Sequence, residues 1–256
     1  MRLKIKNTRS GLLIVAMAAA GFVPLPALPA CEDEPAPGVN WAGCDKQGMD
    51  LSGADLSSAV FTRAKLDNAD FSGSRLTNAD LNLASLENAT FDGARMIGAR
   101  LIGVKAQGAS FNKAILDDAS LSRSELNKAD FSSARLRRVN FYDAKLVDTN
   151  FTGANLEAAR LERSRMFAAR FDQASLDSAN LESSDAETAS FRQANLTRAK
   201  LDKAVLREAD FTGADLSKAS LREANIDDAV FDDAVLDDTI WVRYERCRPG
   251  SVGECR

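Results

Sequence analysis

The side chains able to do chemistry are unevenly represented: 256 residues hold 37 Asp and Glu, 33 Lys and Arg, four Cys and no His. Without imidazole there is no Ser-His or Cys-His nucleophile and no histidine-ligated metal, so catalysis would have to run on carboxylates alone. The densest carboxylates are the doublets Asp227-Asp228, Asp232-Asp233 and Asp237-Asp238, whose oxygens are of the type a calcium ion takes. The cysteines stand two near each end, at Cys31 and Cys44 and at Cys247 and Cys255. In an oxidising compartment four cysteines form two disulfides, in any of three pairings.

The start of the chain speaks to that compartment. Arg2, Lys4, Lys6 and Arg9 precede an uncharged apolar run from Gly11 to Val23, and small residues lead to Ala30 before Cys31. This is the layout of a secretory signal peptide over residues 1–30, which predicts a periplasmic or secreted protein. The run of 13 apolar residues falls short of the roughly 20 that cross a bilayer as a helix, so no transmembrane segment is expected. Leu28-Pro29-Ala30-Cys31 is similar to a lipoprotein box with a proline out of place, which makes lipid anchoring at Cys31 the alternative to a disulfide there. Removing residues 1–30 leaves 29 basic against 37 acidic residues, a net charge of −8. Such a balance disfavours nucleic acid and anionic lipid, and no direct nucleic-acid binding is expected.

The elements that must position these groups are written in a strict repeat. Every fifth residue from Leu51 to Trp241 makes 39 positions, filled by 22 Leu, 11 Phe, two Met, two Ala, one Ile and one Trp. Two residues before each centre lie 38 further positions from Ala54 to Thr239, 30 of them Ala and the rest Ser, Val or Thr. A helix advances about 100° per residue and would scatter a five-residue spacing over all its faces. In extended chain, Ala54 and Leu56 face the same way, but Ala59, three residues on, faces inward only if the chain turns a corner after Leu56. Each pentapeptide is one short side plus a corner.

The phenylalanines set the number of sides. Those at 71, 91, 111, 131, 151, 171, 191, 211 and 231 recur every twenty residues without a break, so four sides close one coil and the rings stack on one inner wall. Trp41, Phe61, Leu81, Leu101, Leu121, Phe141, Leu161, Leu181, Leu201, Leu221 and Trp241 form a second column. The expected fold class is an all-β solenoid of about ten coils of four pentapeptides, roughly 46 Å long at about 4.8 Å per stacked strand.

The pattern A(D/N)LXX, as in Gly53-Ala54-Asp55-Leu56-Ser57, Asn78-Ala79-Asp80-Leu81-Asn82 and Gly153-Ala154-Asn155-Leu156-Glu157, resembles that of the pentapeptide-repeat proteins. The resemblance implies a right-handed quadrilateral β-helix. Cysteines and prolines flanking the repeats, with Pro35, Pro37 and Trp41-Ala42-Gly43-Cys44 before and Cys247 to Cys255 after, look like those of exported bacterial members. Some cytoplasmic members imitate duplex DNA and bind type II topoisomerases, which makes a DNA-mimicking binder the alternative function. A signal peptide and a basic belt count against it.

Bridged cysteines need Cα atoms within about 7 Å, whereas the ends of such a rod lie tens of ångströms apart. The expected pairs are therefore Cys31 with Cys44 and Cys247 with Cys255. They divide the chain into a signal peptide (1–30), an N-terminal cap (31–50), the β-helix (51–241) and a C-terminal cap (242–256). Within the core, Ala106 at a large position is offset by Val104 at its small one. Ala186 beside Ser184 is not, unless the flexible Met166 one coil below fills the gap.

A square prism offers no deep cleft to tune carboxylates, so the protein is expected not to be an enzyme and to carry no cofactor or metal. The Asp doublets fall on successive corners and point apart, whereas calcium needs six to eight converging oxygens; they read as a solvated acidic rim against end-to-end stacking. Arg135, Arg137, Arg138, Arg160, Arg163, Arg165 and Arg170 form a basic belt in which Asp143, Asp148, Glu157 and Glu162 are interspersed, the pattern of a mixed solvated surface. Outward apolar residues are rarer. Val147 and Phe167 share one column in consecutive coils, with Tyr142 around the adjoining corner, and form the candidate surface for a protein partner or for homo-oligomerisation. The function this predicts is that of an exported, non-enzymatic structural or interaction module presenting rigid walls.

Overall fold

A computed structural model describes residues 30–256; the expected signal peptide lies, but for Ala30, outside the described residues. Every fifth residue from Asn40 to Ser220 is paired in parallel with the residue twenty further on, from Asn40↔Val60 to Ser220↔Ile240. Twenty residues therefore close one coil. The first side carries the centres Trp41, Phe61 and so on to Trp241, the second those from Leu66 to Ile226, the third the phenylalanine column, and the fourth those from Leu56 to Leu236.

Each corner is a turn closed by a hydrogen bond from the next small residue back to the centre, such as Ala154 N–H to Phe151 C=O at 2.9 Å. The second turn residue takes a left-handed conformation throughout, as at Arg138 (φ 54°) and Asp148 (φ 57°). At Gly103 the turn has a neighbour as well: a Cβ there would lie 2.9 Å from Leu83 Cδ2, the tip of an exposed side chain of the coil below that is free to move aside.

Inside, centres and small residues alternate as two sizes of filler, and nearly all are fully buried. From Phe71 to Phe231 successive rings lie 4.6–5.2 Å apart with planes within 8° of parallel. Phe141 reaches from the first side and meets Phe131 and Phe151 edge-on at 5.6 and 5.7 Å. The spacing of the rings is the spacing of the coils, held by backbone bonds such as Phe151 N–H to Arg170 C=O at 2.7 Å.

The bridge ladder starts at Asn40, inside the segment 31–50 expected as a cap, so the β-helix begins before Leu51. Lys46 hides this from a count of apolar centres. It occupies a centre position but carries its ammonium 4.2 Å over the Trp41 ring, so that its stem serves as the filler. At the other end the chain folds back antiparallel, pairing Val235 with Val252 and Ile240 with Arg246. Cys31 is bonded to Cys44 and Cys247 to Cys255, with Cα–Cα distances of 5.5 and 4.8 Å.

Candidate interaction surfaces

A parallel ladder leaves one backbone donor per side without work, the N–H of the first turn residue. Two arrangements of Asp and Asn satisfy it. In one the acceptor stands two residues earlier on the same side, as Asp70 Oδ1 for Ser72 N–H at 2.8 Å and Asn140 Oδ1 for Tyr142 N–H at 3.0 Å. In the other it comes from the coil below, as Asn127 Oδ1 for Val147 N–H at 3.1 Å and Asp202 Oδ1 for Arg222 N–H at 3.1 Å. Burial pushes the Asp202 carboxyl up, but hydrogen bonds from Arg222 and Ser220 and the Arg222 charge outweigh this and hold it below the ordinary carboxylate range. Many outward carboxylates are thus structural acceptors. Sequence reasoning, which read them as solvated charge, missed this role, although the D/N in the repeat is its signal. Asp70→Ala is expected to lower unfolding free energy by about 1 kcal/mol, measured as a shift in denaturation midpoint.

Among the described residues, two inward-facing serine hydroxyls lack the partner that Ser124 has, whose Oγ donates to Leu101 C=O at 2.7 Å. Ser74 Oγ and Ser184 Oγ are buried without a partner. Ser184 sits beside Ala186, with Met166 fully buried one coil below. Ser184→Ala restores the commonest residue of that position and is expected to stabilise the protein by about 1 kcal/mol in the same measurement.

The basic belt is largely neutralised in place. Arg135 pairs with Asp117 at 2.8 Å, Arg137 with Glu157 at 3.1 Å, Arg160 with Glu162 at 3.3 Å, and Arg138 grips Asp118 with two bonds of 2.7 Å. These pairs link neighbouring coils or residues of one turn; Arg137–Glu157 and Arg138–Asp118 stand in solvent and contribute little stability, while Asp117 is buried beneath its Arg135 partner. The doublets from Asp227 to Asp238 occupy consecutive corners, and among the described residues no group of three or more acidic or cysteine side chains is arranged to hold a metal ion.

Val147 and Phe167 occupy equivalent corner positions in consecutive coils, Val147 partly buried and Phe167 44% exposed. Asp148 N–H donates to Phe167 C=O at 3.0 Å, tying the two corners together. Tyr142 stands at the preceding corner, in a shallow groove lined by Glu162, Arg163, Glu182 and Ser183; neither Val147 nor Phe167 lines it. The apolar pair and the tyrosine are therefore on two separate ridges. Among the described residues, Leu83, Val230, Tyr244 and Val252 are the other large apolar side chains that stand exposed. Three of them lie at the C-terminal end.

Flat walls, a sealed apolar interior and shallow surface grooves define a four-sided β-solenoid that works through its outside, a protein-interaction module. Models of pentapeptide repeats match residues 42–78, 69–105, 189–228 and 214–240, and a pentapeptide repeat region model matches 94–171. The chain belongs to the pentapeptide-repeat family, and its fold is the right-handed quadrilateral β-helix. Among solved structures it is similar to HetL, a pentapeptide repeat protein involved in heterocyst differentiation regulation from the cyanobacterium Nostoc sp. strain PCC 7120, at 28% identity and TM-score 0.45 over 82% of this chain and 92% of that one. It is also similar to QnrB1, a plasmid-mediated fluoroquinolone resistance protein, at 17% identity and TM-score 0.37 over 72% and 92%. A pentapeptide repeat protein of the Arabidopsis thaliana thylakoid lumen aligns at 31% identity and TM-score 0.22 over 50% and 69%. Comparison with curated proteins gives no match. Two closed disulfides are the chemistry of an oxidising compartment, and no helix among the described residues is long and apolar enough to cross a membrane.

Proposed function

We propose that the protein is an exported, non-enzymatic scaffold of the cell envelope or its exterior, which docks a protein partner on the ridge carrying Val147 and Phe167. Residues 1–30 act as its signal peptide, and the disulfide-bearing segments at either end of the rod act as caps. The observation that carries the reading is the pair of disulfides at the ends of a rigid solenoid, together with the basic n-region and apolar run that precede them. An aromatic ring on a rigid wall loses little entropy on binding and buries much area, so Phe167 is the anchor.

Fractionation with mass determination tests the compartment: the expected product is a chain starting at Cys31 outside the cytoplasm with no free thiol. Intact precursor in the cytoplasm, or a diacylglycerol on Cys31, refutes it. Phe167→Ala combined with Val147→Ser is expected to leave the unfolding midpoint within about 1 kcal/mol of the parent, since Phe167 stands outside the core. The same double variant loses the partner, or the homodimer, that the parent retains on purification. Association that survives the double variant unchanged removes this ridge from the function.

A further inference from the structure

The C-terminal segment covers only two of the four sides of the last coil. On the fourth side Leu236 N–H donates to Ser251 C=O at 2.9 Å, and Gly253 N–H donates to Ala234 C=O at 3.0 Å. On the first, Trp241 N–H donates to Glu245 C=O at 2.7 Å, and Cys247 N–H donates to Thr239 C=O at 2.9 Å. The equivalent groups on the second and third sides have no partner among the described residues. These are the N–H of Ile226 and Phe231 and the C=O of Ala224 and Ala229; the turn N–H groups are open on all four sides of this coil, at Asp228 and Asp233 here and at Asp238 and Arg243 on the covered sides. One coil below, the same donors, Leu206, Glu208, Phe211 and Gly213, are all paired at 2.7–2.9 Å. Along the open stretch the inward Ile226 and Ala229 are only half-buried, and the outward Val230 is 39% exposed.

Charge says what fits there. Residues 225–240 carry six Asp and no Lys or Arg. The segment that covers the other two sides, 242–256, carries Arg243, Arg246, Arg248 and Arg256 against Glu245 and Glu254. It meets the acidic coil directly, with Gly250 N–H on Asp237 Oδ1 at 2.6 Å and Arg246 Nη1 on Asp238 C=O at 3.2 Å. On its own covered half, the rim is thus paired by an extended segment of net positive charge, through backbone and side-chain bonds to Asp237 and Asp238.

We propose that the edge from Ala224 to Asp233 is a strand-addition site for a segment of a partner protein that lies extended along both sides and turns at the corner between them, with apolar residues alternating with Arg or Lys. Backbone pairing to the six open groups supplies the attachment, the apolar side chains cover Ile226 and Val230, and Asp227, Asp228, Asp232 and Asp233 select the positive charge. A second copy does not fit, because a two-fold contact sets the doublets of both ends against each other, and the opposite end presents Asp45, Asp50 and Asp55.

A labelled peptide of two valine–arginine alternating stretches joined by a glycine that can turn the corner, titrated into the disulfide-intact protein, tests this by fluorescence anisotropy and amide hydrogen exchange. The peptide is expected to slow exchange at Ile226, Asp228, Phe231 and Asp233 while Leu206 and Glu208 stay unchanged. Changing Asp227, Asp228, Asp232 and Asp233 together to Asn is expected to weaken binding at least tenfold, and a valine–glutamate peptide is expected not to bind. Phe167→Ala should leave this binding intact, which separates the edge from the ridge proposed above. Absence of protection at the four amides overturns the proposal. So does equal binding of a backbone N-methylated peptide, which would show attraction to the acidic rim alone. Concentration-dependent dimerisation that protects the same amides without peptide would also overturn it, assigning the edge to a second copy.

Discussion

Replacing Phe151 with alanine is expected to lower the unfolding free energy by about 3 to 5 kcal/mol, the range for a large buried ring removed from a core that cannot close over the gap. The ring is fully buried, stacked 5.2 Å from Phe131 and 4.8 Å from Phe171, with Phe141 meeting it edge-on at 5.7 Å. Collapse around the cavity is opposed by the ladder, which holds Phe131 N–H on Asn150 C=O and Phe151 N–H on Arg170 C=O at 2.7 Å each. Those bonds fix the height of the coils whatever fills them. Equilibrium denaturation with urea is the measurement. Because each coil touches only its neighbours, a weakened middle can also split the cooperative transition, seen as a lower m-value or a second step. An unchanged midpoint and slope would contradict a load shared along the ring column.

The disulfides are expected to come next in size. Cys31–Cys44 closes a loop of sequence separation 13 and Cys247–Cys255 one of 8. Chain-entropy arithmetic gives about 3 and about 2.5 kcal/mol for loops of these lengths. In a solenoid this loss stays near the end where it arises. Cys247→Ser with Cys255→Ser should raise hydrogen exchange at Leu236 and Trp241, whose N–H groups are held by the folded-back segment, and leave Phe151 untouched. Uniformly faster exchange along the rod would mean instead that the C-terminal lock governs the whole fold.

The five-residue alternation was legible because the inner wall is periodic and its two requirements, one large and one small residue per side, leave nothing else to fit. Corners were legible for the same reason, since residues three apart, such as Leu56 and Ala59, cannot both face inward on a straight strand. Lys46 was not, because a residue counts as filler by where its stem lies, and only the Trp41 ring beneath it shows that. The role of Asp70 and Asn127 was likewise hidden: whether an outward carboxylate or amide faces water or a turn N–H depends on a hydrogen bond, not on composition. Phe167 could be named as exposed from its phase alone, and the same phase put Tyr142 at the adjoining corner; that Tyr142 shares its groove with Glu162, Arg163, Glu182 and Ser183 could not be read from it.

By itself, then, the amino-acid order determined the coil length, the square section, the ring column and which residues face inward, since each follows from side-chain size repeated at a fixed chain period. Tertiary structure alone decided how the ends are finished. Whether the last coil is covered depends on where a non-repeating segment, free of the period, folds back. The bonds it makes go to Leu236 and Trp241 and not to Ile226 and Phe231, because its antiparallel pairing follows the fourth and first sides of the last coil.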